Sequence, residues 1–208
     1  MIKGVIFDLW DTIIYNKNGY GAYIEKINEI IGMENKEKFS KLRSEWYTSK
    51  MSEEQFFTKL LAEVNKPLSM LNHMIDVWNG QLEAAIIYPE TIFVLQYLKN
   101  KGIKLVLVSN TVPIAERIIK KLDLEKYFDM IFLSFAERMR KPSPMIYKKI
   151  LDNMNLKPEE VIAVGDKIET DIVGAELYGI KAVLVDRKNK SNYKNKIAAL
   201  DEIEFYID

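Results

Sequence analysis

The sequence predicts an α/β protein: a doubly wound parallel sheet with an all-helical segment inserted after its first strand. Three observations carry that expectation. Residues 2–8, IKGVIFD, are short, β-branched and mostly apolar, the texture of a strand buried on both faces. From Pro89 onward, strand-like and helix-like stretches alternate, which argues for parallel strands joined by helical crossovers. Between the two regions, from about Gly19 to Ile87, the apolar spacing is helical and Pro, Gly and Asn mark the breaks.

The helical stretch divides into four pieces. Ala22, Ile24, Ile27, Ile30 and Ile31 form one apolar face. ENKEKFSKLRSEWYTSKM makes a second helix, and SEEQFFTKLLAEVN a third, with Ser52 and Gln55 spaced as a capping box. Pro67 opens the fourth, LSMLNHMIDVWNGQLEAAII. The alternating half starts with helix PETIFVLQYLKNKG, which ends at Gly102 in the C′ position. Strand IKLVLVSN, helix IAERIIKKLDL, strand DMIFLSF and helix SPMIYKKILDNMN follow. Then come strand EVIAVGD, helix IETDIVGAELYG, strand KAVLVD and a helix near NYKNKIAAL. The charged run DRKNKSNYKNK reads as a solvated loop and helix start.

Composition narrows the function. A chain of 208 residues can bury one sizeable core plus a small inserted domain. Lys+Arg and Asp+Glu are both 30, which speaks against a general nucleic-acid binder. No apolar run approaches the roughly 20 residues of a membrane span. The start, MIKGVIFDLW, is too short in apolar residues for a signal peptide and meets an acid. Cysteine is absent, so thiolate catalysis and Cys-based zinc sites are excluded, and His73 is the single histidine available to a Ser-His-Asp triad. The expectation is a cytoplasmic protein, a monomer or homodimer, that acts on a small molecule and engages neither nucleic acid nor membrane.

Ligands of open α/β sheets bind at the carboxyl ends of the strands. Asp8 ends the first strand, Ser109-Asn110-Thr111 the second, and Asp166 the VIAVG strand, with Asp171 at the following helix start. Lys141 precedes Pro142 in RKPSP. Two acids on neighbouring strand ends repel unless a divalent cation separates them, and carboxylates, waters and a phosphate suit Mg²⁺. Lys141 balances the remaining charge, Ser109 and the backbone N–H groups after it hold phosphate oxygens, and one carboxylate attacks phosphorus to form an acyl-phosphate.

In their order along the chain, FDLWDT, VLVSNT, RKPSP and VGDKIETDIVGA resemble the four motifs of the haloacid dehalogenase-like hydrolase superfamily. The resemblance implies a Rossmann-like core of residues 1–14 and 88–208, with residues 15–87 as a helical cap over the strand ends. It implies Asp8 as nucleophile, Lys141 as charge balancer, and Ser109 with Asn110 toward the phosphate. Mg²⁺ would be held by Asp8, the Trp10 carbonyl and Asp166, with Asp171 counted in the metal site and supporting it by holding Lys141 or a metal-bound water.

One position departs from the pattern. Phosphatases of this superfamily usually read Asp-x-Asp in the first motif, and the second Asp protonates the leaving alkoxide. Trp10 stands there and keeps the carbonyl but not the acid. Three readings follow. The first is a Mg²⁺-dependent phosphatase of a small phosphorylated metabolite, with Asp11, water or the substrate in place of the missing acid. The second resembles the 2-haloacid dehalogenases, which carry an aromatic residue at this position and expel an unprotonated halide without metal. Tyr147 stands six residues after Lys141 as in those enzymes, and Arg43 is roughly where their cap arginine serves the substrate. The third is a weakened site that binds without turnover. Asp166 favours the first, because without a cation it is an uncompensated acid near Asp8.

Overall fold

The computed structural model describes residues 1–19 and 21–207. Its central element is a six-stranded sheet in the order β5-β4-β1-β6-β7-β8, every neighbouring pair parallel. The chain runs β1 (Gly4–Phe7), β2 (Ile14–Asn16), α1 (Gly21–Ile31), α2 (Lys36–Trp46), α3 (Glu53–Glu63), α4 (Leu71–Ala84) and β3 (Ala85–Ile87). Next come α5 (Thr91–Asn100), β4 (Lys104–Ser109), α6 (Ile114–Lys121), β5 (Met130–Leu133), α7 (Ser134–Glu137) and α8 (Pro144–Met154). Finally there are β6 (Val161–Gly165), α9 (Val173–Leu177), β7 (Lys181–Val185), β8 (Lys196–Ile197) and α10 (Glu204–Ile207).

Strand β1 lies between β4 and β6, with Val5 aligned to Leu105 on one side and Ile162 on the other. Both sheet faces are covered. Val5, Phe7, Leu105, Leu107, Ile162 and Val164 pack with Val94 and Leu98 of α5 and Ile118 of α6. Ile6, Val106, Val108 and Ala163 pack with Ile146 and Ile150 of α8 and Ala175 of α9. A strand with helices on both sides has no polar face, which is why β1, β4 and β6 read as continuous apolar runs.

Local signals shape the ends of several helices. Ser52 Oγ accepts from the Gln55 N–H and the Gln55 side chain accepts from the Ser52 N–H, so α3 starts with the expected box. Gly102 has φ +74, and the N–H groups of Gly102 and Ile103 reach back to the Lys99 and Leu98 carbonyls, closing α5 as a Schellman motif. In the inserted helices, Trp46 stacks on Phe56 at 3.8 Å, and Phe57 and Trp78 pack beside them. These four rings are buried and belong to the same apolar cluster as the sheet face packed on α5 and α6.

Three stretches differ most from the sequence expectation, besides the unexpected four-residue helices α7 and α10. Residues 85–87, read as the end of the fourth helix, form β3 and pair antiparallel with β2. This ribbon is two three-residue strands of Ile, Tyr, Ala and Asn, too short for period-2 reading, and it brings the way into and out of the helical insertion together. The expected helix near 192–200 is absent. Asp186 accepts from the Lys190 and Ser191 N–H groups and binds Lys196, bending the loop so that Ile197 pairs in β8. The helix predicted over 168–179 is a π-helical turn, Ile168–Ile172, followed by short α9. That wide turn is where Asp171 sits, and π-turns of this kind frequently mark functional sites.

Candidate active site

Strands β1, β4 and β6 end side by side, and their ends line a cleft of about 450 Å³. Asp8, Ser109, Asn110, Lys141, Asp166 and Asp171 all line it, as do Trp10 and Asp11.

At its centre is a buried ion triad. Lys141 Nζ lies 2.5 Å from Asp8 Oδ1 and 2.6 Å from Asp171 Oδ1, and donates to the Val108 carbonyl at 3.0 Å. Its three donors are therefore spent, which orients the ammonium fully. Burial works against its charge, but Asp8 and Asp171 outweigh that and raise its pKa. Burial pushes the Asp8 carboxyl up to about 6, with Lys141 pulling the other way and Asp171 adding to the rise. Tyr147, packed beneath, donates its hydroxyl toward the Thr170 and Asp171 carbonyls at 3.4 Å.

The backbone around Lys141 is fixed by one side chain. Asn110 Oδ1 accepts from the Lys141 N–H at 2.8 Å, and Asn110 Nδ2 donates to the Lys141 carbonyl at 2.9 Å. Asn110, expected toward the phosphate, lines the cleft, and both polar atoms of its side chain bond the lysine's main chain. Two glycines permit this packing. A Cβ on Gly165 would lie 2.5 Å from the Asp171 carboxylate, and one on Gly174 would lie 2.9 Å from the Pro142 backbone. Both belong to the fourth motif, and close approach is the reason each is glycine.

Asp171 was expected among the metal ligands or as the Lys141 holder. Besides Lys141 it accepts from the Lys167 N–H at 3.0 Å and Thr170 Oγ1 at 3.2 Å, so its oxygens are already engaged. Asp166 differs: its Oδ1 is buried with no hydrogen-bond partner among the described residues, and burial, reinforced by Asp8, pushes its carboxyl up to about 7. Ser109 Oγ is likewise buried without a partner. Unpaired buried polar atoms are rare and call for an occupant. Asp8, Asp166 and Asp171 each offer an oxygen within 4.8 Å of the others. An all-carboxylate donor set is hard and anionic, the kind that fits Mg²⁺ rather than a thiophilic metal.

Arg43 does not line this cleft; its guanidinium lies over the Phe39 ring at 5.6 Å. Tyr47, at the end of α2, is the residue of the helical insertion that reaches it. Arg140 and Lys167 also line the cleft and were missed. Position beside Lys141 and Asp166 was the available signal for both. Arg140 also donates to Ser44 Oγ of α2 at 3.2 Å, tying the cleft rim to the insertion. His73 is exposed on α4 and does not line the cleft, and among the described residues no triad forms around it.

A family model of haloacid dehalogenase-like hydrolases matches residues 2–179. The chain is 30% identical to the glyceraldehyde 3-phosphate phosphatase of Methanothermobacter thermautotrophicus, over 89% of this chain and 86% of that one. Among solved structures it superposes with a TM-score of 0.74 on a HAD-family enzyme of Bacteroides thetaiotaomicron in complex with magnesium and inorganic phosphate, at 21% identity, covering 92% of this chain and 98% of that one. It superposes at 0.72 on the 2-haloacid dehalogenase of Pseudomonas syringae pv. Tomato DC3000, at 18% identity, covering 99% and 97%. Both superpositions speak to fold.

Proposed function

The chain belongs to the haloacid dehalogenase-like hydrolases, and from that premise we propose that it is a Mg²⁺-dependent phosphatase of small phosphorylated metabolites, working through an aspartyl-phosphate on Asp8. The observation that carries this reading is the unpartnered Asp166 oxygen beside Asp8, in a cleft that also holds the free Ser109 hydroxyl. A halide-displacing site has no use for that second acid. The phosphatase relative supports the same choice.

In this mechanism Asp8, the Trp10 carbonyl and Asp166 would hold Mg²⁺, which would supply charge neutralisation at the reacting centre. Ser109 Oγ donates to a phosphoryl oxygen. Lys141 holds Asp8 Oδ1, which leaves the other Asp8 oxygen to attack phosphorus. The bond from phosphorus to the leaving oxygen breaks as the aspartyl-phosphate forms, and water then attacks phosphorus and frees Asp8 with inorganic phosphate. Asp171 keeps Lys141 in place through both steps.

The leaving oxygen needs a proton unless it is a weak base. Trp10 cannot give one, since indole N–H is not an acid near neutral pH. Asp11 is exposed, lines the cleft and is held at φ +58, so it is the chain's own candidate donor. Aryl and acyl phosphates, whose leaving groups need least protonation, are the favoured class. The inserted helices act as a cap, contributing Tyr47 to the cleft and excluding water during turnover.

The test is hydrolysis of para-nitrophenyl phosphate with Mg²⁺ and with EDTA, alongside 2-chloropropionate without metal. Phosphatase activity that needs Mg²⁺ and disappears in Asp8→Asn is expected. Halide release without metal would replace this reading with the dehalogenase one.

A further inference from the structure

The charged loop after β7 contains a side chain that the site does not account for. Arg187 is largely buried and reaches three segments far apart in sequence. Its Nη2 donates to the Thr12 carbonyl at 3.0 Å. Its Nη1 pairs with Glu90 Oε1 at 2.7 Å. Its guanidinium carbon lies 3.4 Å from the centroid of the Tyr88 ring, a stacking distance. Tyr88 packs on Tyr15 of β2, with ring centroids 4.7 Å apart.

These contacts fall where the chain leaves the sheet for the helical insertion and where it returns. Thr12 lies in the loop from Asp8 to β2. Tyr88 and Glu90 lie between β3 and α5. The first loop is folded on itself: the Ile13 and Ile14 N–H groups both donate to the Leu9 carbonyl at 3.0 Å, and the Asp11 N–H donates to the Ile14 carbonyl at 2.7 Å. Two adjacent carbonyls then fasten it outward. Ile13 accepts from the Tyr88 N–H and Thr91 Oγ1, and Thr12 accepts from Arg187. The loop's end is thus bound to the returning chain directly and again through Arg187.

We propose that Arg187 is a positioning residue for the nucleophile loop: by tying Thr12 to Glu90 and Tyr88 it sets where Trp10 and Asp11 stand at the cleft. The inference rests on the phosphatase reading, in which the Trp10 carbonyl and the Asp11 carboxyl have work to do. A planar guanidinium is the side chain suited to this place. It presents donors in two directions within one plane while its face lies on an aromatic ring; a lysine ammonium has no such face. The proposed phosphate ligand Ser109 and the charge-balancing Lys141 come from other strands and loops, whereas the recorded partners of Arg187 are Thr12, Glu90 and Tyr88. Loss of Arg187 is therefore expected to fall on turnover more than on substrate binding.

The experiment compares Arg187→Met and Arg187→Lys with the unaltered protein, using para-nitrophenyl phosphate at saturating Mg²⁺ and hydrogen exchange of backbone amides. In Arg187→Met, kcat is expected to fall roughly tenfold or more, as when catalytic groups shift by a fraction of an ångström, with KM changed by less than about threefold. Exchange at Asp11, Ile13 and Ile14 is expected to speed up while α8 keeps its protection. Arg187→Lys retains the charge but not the stacked plane, and is expected to stay impaired. A kcat within about twofold of normal, with only the melting temperature lowered, would make Arg187 a purely structural clamp and overturn the proposal. Should Arg187→Met fail to fold, Tyr88→Leu removes the ring under the guanidinium, together with its packing on Tyr15, leaves the Thr12 and Glu90 contacts of Arg187 in place, and is read the same way. If the unaltered protein hydrolyses no phosphate ester, the phosphatase reading fails and exchange alone decides. Faster exchange confined to the loop then supports the positioning role, and unchanged exchange overturns it.

Discussion

Lys141 Nζ stands 2.5 Å from Asp8 Oδ1, with both side chains almost closed to solvent. At that distance the lysine holds one carboxylate oxygen of Asp8 and leaves the other open, as the proposed nucleophilic role requires. Replacing Lys141 with Met strands Asp8 and Asp171 as neighbouring buried acids. Removing one partner of a buried pair typically costs about 3–5 kcal/mol. Lys141→Met is expected to melt well below the unaltered protein at pH 7, to recover part of the loss at lower pH as a carboxyl protonates, and to lose activity at every pH. Calorimetry and phosphate release across pH check all three.

Asn110 separates a positioning role from a substrate contact. Its amide makes both hydrogen bonds to the Lys141 main chain. Asn110→Ala is expected to lose about 1–3 kcal/mol of stability, the range for orphaned buried partners, and to lower kcat with little change in KM. A raised KM at unchanged kcat would return Asn110 to the substrate.

The acids of the cleft predict a pH-dependent stability without metal. Burial, which disfavours their charge, pushes the Asp8 and Asp166 carboxyls up to about 6 and about 7 from their ordinary 3.8. Protons are then held more tightly in the folded chain than in the unfolded one. The stability these groups contribute is full below their unfolded pKa and is lost as pH rises through 6 to 7. In EDTA, the melting temperature of the unaltered protein is expected to fall, relative to Asp166→Asn, across that window. A constant difference between the two proteins from pH 5 to pH 8 would refute the shift.

Asp166→Asn also tests the cation. The substitution removes a repelling charge beside Asp8, so the metal-free variant is expected to be more stable than the unaltered protein at pH 8. It also removes a hard ligand, so Mg²⁺ should no longer stabilise it. A ligand at a hundred times its Kd adds about 2.7 kcal/mol, readily seen by calorimetry. Equal stabilisation of both proteins by Mg²⁺ would exclude Asp166 as a ligand.

Under the proposed phosphatase reading, Trp10→Asp places an acid where the leaving oxygen would take its proton. Acid–base assistance is worth roughly 10²- to 10⁴-fold, and poor leaving groups gain most from it. Alkyl phosphate hydrolysis is expected to rise more than aryl phosphate hydrolysis. Equal losses on both would show that the indole is kept for packing or for contact with the substrate.

Much of the fold and part of the site were legible in the sequence, and the division follows the range of the forces involved. The parallel sheet, the inserted helices, the Ser52 cap and the Gly102 terminus depend on period and on residues a few positions apart. The same holds for the acids at the strand ends. Their residue types and order were enough to name Asp8, Lys141, Asp166 and Asp171 as cleft residues. The β2–β3 ribbon was hidden because its strands are three residues long and 85–87 continue a helical pattern.

What the chain alone determined is which chemical groups arrive at the carboxyl ends of the strands, since side-chain type and strand texture are local properties. What only the tertiary structure decided is which of those groups are already spent. Asn110 and Lys141 are 31 residues apart, and Arg187 and Thr12 are 175 apart. Asn110 reads as a phosphate ligand and Arg187 as solvated loop charge until the sheet brings their partners within 3 Å. The hydrogen bond acts only at that range, so the roles of Asn110, Arg187 and the unspent Asp166 oxygen belong to the folded arrangement.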